Sequence, residues 1–214
     1  MILSTYTHTN NAGDWNLTAT DFFFECGQLK LVKRSGWWMA GVKEPESVAE
    51  HSWRASVIAF VLARLEGKDF DEACRLSTSV AFHDLLETRL QDLHNVSKEY
   101  LFGKTSEGGG GKARARQLAE EIAGGQTKHL PKSIASEVKE LALNEEAIAR
   151  DADLLECAFQ AKEYLEQGFA STQDWIDSVE KALKTKSAKR LLRELKKTQS
   201  TAWWEKEFRA RKRV

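Results

Sequence analysis

Two histidines and a few carboxylates carry the chemistry open to this chain. His51 follows Glu50 near the start of one apolar segment, and His83-Asp84 closes the next, after Val80-Ala81-Phe82. Imidazole nitrogen and carboxylate oxygen form the donor set that suits a borderline divalent ion such as Zn²⁺, Mn²⁺, Co²⁺ or Fe²⁺. A turn centred near Lys68 separates the two positions, with His51 17 residues before it and His83 15 after it. If the flanking segments fold as an antiparallel helical hairpin, both histidines reach the same end, offset by only about 3 Å at the α-helical rise. A fourth ligand must come from another element, and Asp151-Ala152-Asp153 supplies two candidates among Ile148, Leu154, Leu155 and Phe159. A carboxylate in such surroundings is costly unless it is exposed, paired or metal-bound. Taken singly, each residue has a plainer explanation, a satisfied histidine or a solvent-facing aspartate. The hairpin and the acidic pair together raise a metal centre.

The elements that must position these groups read as helices nearly throughout. Thr18 or Thr20 caps a first helix carrying Phe22, Phe23, Phe24, Leu29 and Leu31, and Gly36 to Pro45 reads as a loop. Ser47-Val48-Ala49-Glu50 has the form of a capping box, which opens a helix running to a stop at Gly67. Asp69 or Asp71 restarts a helix through Ala73, Leu76, Val80 and Leu85, and the Gly108–Gly111 tract reads as a mobile loop. Further helical patterns cover about 112–122, 133–143 and 144–167, where Gly168 ends the run. Another starts at Thr172, and the basic C-terminal segment reads as one amphipathic helix with Leu191, Leu192 and Leu195 inward. No alternating stretch supports a strand, so the fold class is all-α. Residues 1–214 are read as one domain, with a core at about 20–170 and a helical extension at 171–214.

Composition narrows the setting. The 214 residues include 42% hydrophobic and 30% charged residues, a globular balance that excludes a disordered chain. The apolar runs are too short for a membrane span. Three scattered cysteines, Cys26, Cys74 and Cys157, form no disulfide framework, and with no evident secretory signal they point to a cytoplasmic protein. Net charge is zero, yet residues 181–214 carry 13 basic and 3 acidic side chains, a local +10. The simplest reading of that excess is a solvated helix face that pairs with the acidic body.

The pattern His51…His83-Asp84…Asp153 resembles the HD-domain metal-dependent phosphohydrolases. Arg34-Ser35-Gly36-Trp37, Pro45-Glu46-Ser47-Val48-Ala49-Glu50-His51 and His83-Asp84-Leu85-Leu86-Glu87 with Asp92 are similar to the branch of 5′-deoxynucleotidases and HD-domain-containing protein 2. The resemblance implies an HD-type helical bundle in which His51, His83, Asp84 and Asp153 hold one divalent metal ion (Mn, Co, Zn, Fe, Ni or Mg), with Asp151 as fallback. It implies Glu87 as the catalytic acid or base, Arg34 as the grip on the substrate phosphate, Trp37 beside the sugar and Asp92 completing the pocket. The implied activity is hydrolysis of nucleoside 5′-monophosphates, preferably 2′-deoxy ones. One alternative is the same centre acting on nucleoside triphosphates or a signalling nucleotide. Another is an inactive HD fold that binds nucleic acid or serves as a scaffold through the basic C-terminal segment with Trp203 and Trp204. A homodimer is expected, and no membrane contact. The sequence departs from the branch at Gln91, where the relatives carry a glycine.

Overall fold

In the computed structural model, residues 18–103 and 110–211 are described. They form α1 (Thr18–Gly27), α2 (Gly36–Met39), α3 (Val48–Leu65), α4 (Phe70–Phe82), α5 (Glu87–Leu90), α6 (Asn95–Phe102), α7 (Gly110–Thr127), α8 (Lys132–Ala142), α9 (Ala147–Glu166), α10 (Gln173–Ala182), α11 (Lys186–Lys197) and α12 (Ala202–Arg211), with 3₁₀ turns at Gln28–Lys30 and Ala170–Thr172. The only β pairing among the described residues is one isolated bridge, Lys33 with Ser47. The class is all-α, as the patterning implies.

The hairpin that carries both histidines has a local cause at every joint. Ser47 accepts from the Glu50 backbone while the Glu50 carboxylate accepts from Ser47 N, a complete capping box that starts α3. At the far end Gly67 takes φ +82°, Gly67 N donates to Arg64 O, and Lys68 N donates to Ala63 O. That pair of bonds is a Schellman stop, which favours glycine at the left-handed residue. Asp69 then accepts from Glu72 N and opens α4. The chain therefore reverses within four residues, and α4 returns along α3.

Helix α9 completes a three-helix centre with α3 and α4. Small residues set the approach: Ala55, Ala59 and Ala63 of α3 and Ala152, Ala158 and Ala161 of α9 are fully buried. With methyl groups at the contact the backbones come close, and polar side chains on the two helices can touch. Leu62, Leu76, Leu155, Ile176 and Leu192 fill the rest, each contributing roughly 1.5–3 kcal/mol by burial. Ile176, Val179, Leu192 and Leu195 place α10 and α11 in this same core rather than beside it.

Several boundaries differ from the sequence expectations. Thr18 and Thr20 both fall inside α1, and the expected loop after Arg34 contains the single-turn α2. Gly110 and Gly111 belong to α7, while Gly108 and Gly109 lie outside the described residues. The short helices α5 and α6 were not anticipated. The basic C-terminal segment is two helices, because the chain leaves helical geometry at Thr198, φ −103° and ψ 134°. Lys196 reaches Glu180 and Asp177, so part of the local positive charge is neutralised within the fold.

Candidate metal centre and surrounding site

The hairpin brings the two imidazoles to one end of the bundle, ring centroids 5.4 Å apart. His51 is fully buried, and its Nδ1 is bonded to the Glu156 carboxylate of α9. Glu156 is itself held by Arg54, one turn beyond His51, through Nε at 2.9 Å. His83 Nδ1 donates to the Val80 carbonyl at 2.6 Å. Both rings thus use Nδ1 for orientation and turn Nε2 toward Asp84 and Asp153, the arrangement by which outer partners fix a ligating histidine.

What faces those two nitrogens decides whether an ion fits. His51 Nε2 lies 3.1 Å from Asp153 Oδ1 and 3.7 Å from Asp84 Oδ2, and His83 Nε2 lies 3.2 Å from Asp84 Oδ2 and 3.7 Å from Asp153 Oδ1. Yet both Nε2 atoms are buried without an aligned hydrogen bond. Donors at ~2.1 Å from one tetrahedral ion stand ~3.4 Å apart, so this spacing is that of co-ligands around a shared centre. His51, His83 and Asp153 have their donor atoms within 4.8 Å of one another. Asp84 joins both imidazoles but is also drawn toward Arg34 at 3.2 Å. The residues present fit a divalent ion.

Electrostatics point the same way. Burial and the Arg34 guanidinium oppose charge on His51, but Asp153 and Glu156 outweigh them and raise its pKa to about 10. Burial opposes charge on His83 too, and Asp84 with Asp153 raises it. Burial works against the Asp153 carboxylate, but the two imidazoles hold its pKa well below the usual range. Without an ion, protons on the imidazoles balance the carboxylates, and an ion must displace them. Metal affinity therefore strengthens as pH rises. Calorimetry in buffers of different ionisation enthalpy should show release of about one to two protons per ion near pH 7, and no release would contradict this balance.

Around the donor set, Arg34 spans three carboxylates: Asp84 at 3.2 Å, Asp92 at 3.5 Å and Asp153 at 4.0 Å. Burial disfavours its charge, but those carboxylates and Glu87 keep it protonated throughout. Asp92 also accepts from Ser35 N at 2.5 Å, which ties the Arg34 turn to the segment after α5. Gln91 precedes Asp92 at φ 63°, ψ 166°, a backbone setting that favours glycine. Glu87 is 6% exposed, and its Oε2 has no hydrogen-bond partner. Burial, then the Asp84 and Asp92 carboxylates, push its pKa up to about 9.

Other residues take different places from those expected. Asp151, the fallback ligand, is turned away: its carboxylate accepts from Lys184 N and Thr185 N just before α11. Two residues along a helix is roughly 200° of rotation, so Asp151 and Asp153 cannot share a face. Asp151→Ala should cost about 2 kcal/mol in thermal or denaturant unfolding and leave metal stoichiometry intact. Loss of metal with unchanged stability would reverse the assignment. The Trp37 ring is 3% exposed, packs on Tyr164 and Trp175, and donates from Nε1 to Glu46. Its visible role is to seat the turn that carries Arg34, not to line the site. Glu50 is spent on the cap, and the carboxylate behind His51 is Glu156, which the sequence reading missed. The spacings His51–Arg54 and Asp153–Glu156, both three apart, were the available signal.

Comparison with known proteins agrees with this geometry. A family model described as HD domain matches residues 26–210. The 5′-deoxynucleotidase HDDC2 of Homo sapiens is 29% identical over 187 residues, 82% of this chain and 83% of that protein. A structural-genomics crystal structure is 34% identical with TM-score 0.68, covering 87% of this chain and 98% of its own. A cyanophage S-2L HD phosphohydrolase, bound to dA and one catalytic Zn²⁺ ion, is alike in fold at TM-score 0.51 and 17% identity, over 82% of this chain and 96% of its own.

Proposed function

Because the chain belongs to the HD-domain family, we propose that it is a metal-dependent phosphomonoesterase that releases phosphate from nucleoside 5′-monophosphates, preferably 2′-deoxy ones. The observation that carries this reading is the pair of inward-facing, hydrogen-bond-free Nε2 atoms opposite Asp84 and Asp153, with Arg34 and Glu87 beside them. The preference for deoxy substrates is supported by the similarity to a relative named 5′-deoxynucleotidase.

His51, His83, Asp84 and Asp153 would hold the ion, which supplies Lewis acidity to a phosphate oxygen and to an attacking water. Arg34 offers a planar fork of donors that matches phosphate oxygens and neutralises charge as it develops there. With Asp84 and Asp153 holding a cation, Arg34 would be free to turn its guanidinium toward the phosphate. Glu87 would serve as the acid or base, since its buried Oε2 has no partner and could pass a proton to the departing 5′-oxygen. Asp92 keeps the Arg34 turn in register through Ser35 N.

Phosphate release from matched ribo- and deoxyribonucleoside 5′-monophosphates tests the reading. A deoxy preference is expected, and equal rates would remove that part of it. Release of pyrophosphate from triphosphates instead would favour the other phosphohydrolase reading.

A homodimer is part of the same proposal. Trp53, Val57, Val61 and Leu65 form an exposed apolar stripe on α3 at a spacing of four. Two such stripes packed antiparallel about a two-fold axis pair Val57 with Val61 and Trp53 with Leu65, a self-complementary face. Sedimentation velocity should give the mass of two chains, and Val57→Asp should give one. The three cysteines are free, which supports a reducing, cytoplasmic setting. Among the described residues no helix is long and apolar enough to cross a membrane.

A further inference from the structure

Ala188, Leu192 and Leu195 are buried in the core and anchor one face of α11. At about 100° per residue, Lys186, Lys189, Arg190, Arg193 and Lys197 all lie within about 60° of one line on the opposite face. All five are exposed. The line runs about 16 Å along the helix, and no acidic residue falls on it. The acids nearby are engaged elsewhere or cancel little of this charge. Glu194 pairs with Arg190 at 2.9 Å, Glu180 and Asp177 reach Lys196, and Glu66 accepts from Ser187 N at 2.7 Å beside Lys186. Lys189, Arg193 and Lys197 have no ion-pair partner among the described residues. The expected pairing of this segment with the acidic body therefore holds for Lys196 and leaves most of the stripe uncompensated.

We propose that this face docks single-stranded nucleic acid, on a surface separate from the metal centre. A row of cations on every turn of a helix suits a phosphate backbone, because each phosphate it neutralises releases a condensed counterion. Aromatic rings follow at once: Trp203 and Trp204 of α12 are 73% and 45% exposed, and Trp203 stands only a few residues beyond Lys197. Unpaired bases stack on such rings whatever their sequence, whereas a duplex keeps its base faces to itself, so the rings select the single strand. A bilayer suits this face less well. An interfacial helix binds by embedding an apolar face beside its cations, and the apolar face of α11 is spent in the core. The metal donors come from α3, α9 and the end of α4, so the stripe belongs to a different element. The proposal stands whether or not the nucleotidase reading holds.

The test is fluorescence anisotropy of the full chain with a labelled, mixed-sequence DNA strand of about 20 nucleotides, long enough to span the stripe and the rings. The strand carries a 5′-hydroxyl, so it offers the metal site no terminal phosphate, and EDTA is present. The logarithm of the binding constant should fall against that of salt with a slope of about −2 to −3.5, roughly 0.7 for each of three to five phosphates. Combining Lys189→Ala, Arg193→Ala and Lys197→Ala should weaken binding at least about tenfold at low salt and make the slope shallower by about 2. Trp203→Ala should weaken it about fivefold to a hundredfold with the slope unchanged, which separates stacking from charge. Hydrolysis of 2′-deoxyadenosine 5′-monophosphate by the triple variant should match the parent; loss of both together would put the strand in the metal site and overturn the separate surface. Unchanged affinity in either folded variant would overturn the proposal. So would equal or tighter binding of the matching duplex, or no binding by the parent at about 20 mM salt, where counterion release favours it most. Binding only to phosphatidylserine vesicles would overturn it in favour of a membrane. If the triple variant does not fold, the parent's salt slope and Trp203→Ala decide.

Discussion

Replacing His83 or Asp84 by alanine is expected to abolish tight metal binding and to lower phosphatase activity by about a thousandfold or more, the scale of losing a Lewis acid worth several kcal/mol. The reason is geometric. His83 Nε2 stands 3.2 Å from Asp84 Oδ2 and 3.7 Å from Asp153 Oδ1, so each removal would take one of the four proposed donors. The fold should survive, because neither side chain belongs to the apolar core. Metal content after dialysis, circular dichroism and initial rates together check this. Full activity in either variant would dismiss the metal centre as the catalytic site.

The second large effect concerns Glu87. Glu87→Gln keeps the shape and removes the exchangeable proton, so turnover should drop by about 10²–10⁴-fold, the span of general acid–base catalysis, with little change in metal affinity. The same variant should be more stable than the parent, and the sign follows from linkage. The folded pKa, about 9, lies above the ordinary carboxylate value of 4.5. Between those values the folded protein holds a proton that the unfolded chain has released, so stability falls as pH rises across the window. The amide has nothing to release, and its advantage in the metal-free protein should grow from about pH 5 toward about pH 9. Denaturant unfolding at several pH values reads this directly. A difference that is flat or reversed with pH would show that Glu87 is not held protonated by burial.

Much of this site can be read from residue types and spacing, and the reasons are physical. Ser47 with Glu50, Gly67, and Asp69 are start and stop signals whose chemistry acts within four residues, so the hairpin and the meeting of His51 with His83 follow from local sequence. Asp151 and Asp153 could not be separated that way. Both sit in one apolar helix, and only the position of the Lys184–Thr185 backbone shows which carboxylate is already satisfied. Glu156 was passed over for the opposite reason: its spacing of three from Asp153 was a weak signal, and a glutamate on an amphipathic helix looks like surface until the alanines of α3 and α9 bring it against His51. Helix α6 has no buried residue and so no apolar period to detect. Trp38 is exposed, whereas its neighbour Trp37 turns into the core against Tyr164 and Trp175.

The account stands or falls on a metal ion held by His51, His83, Asp84 and Asp153 acting on a nucleoside 5′-monophosphate. The most direct test is phosphate release from 2′-deoxyadenosine 5′-monophosphate by protein stripped with EDTA, followed by stepwise return of Mn²⁺, Co²⁺, Zn²⁺ or Mg²⁺. Negligible release from the stripped protein, restored in proportion to about one bound ion per chain, is the predicted result. Undiminished release from fully stripped protein, or none with the ion bound, would contradict it.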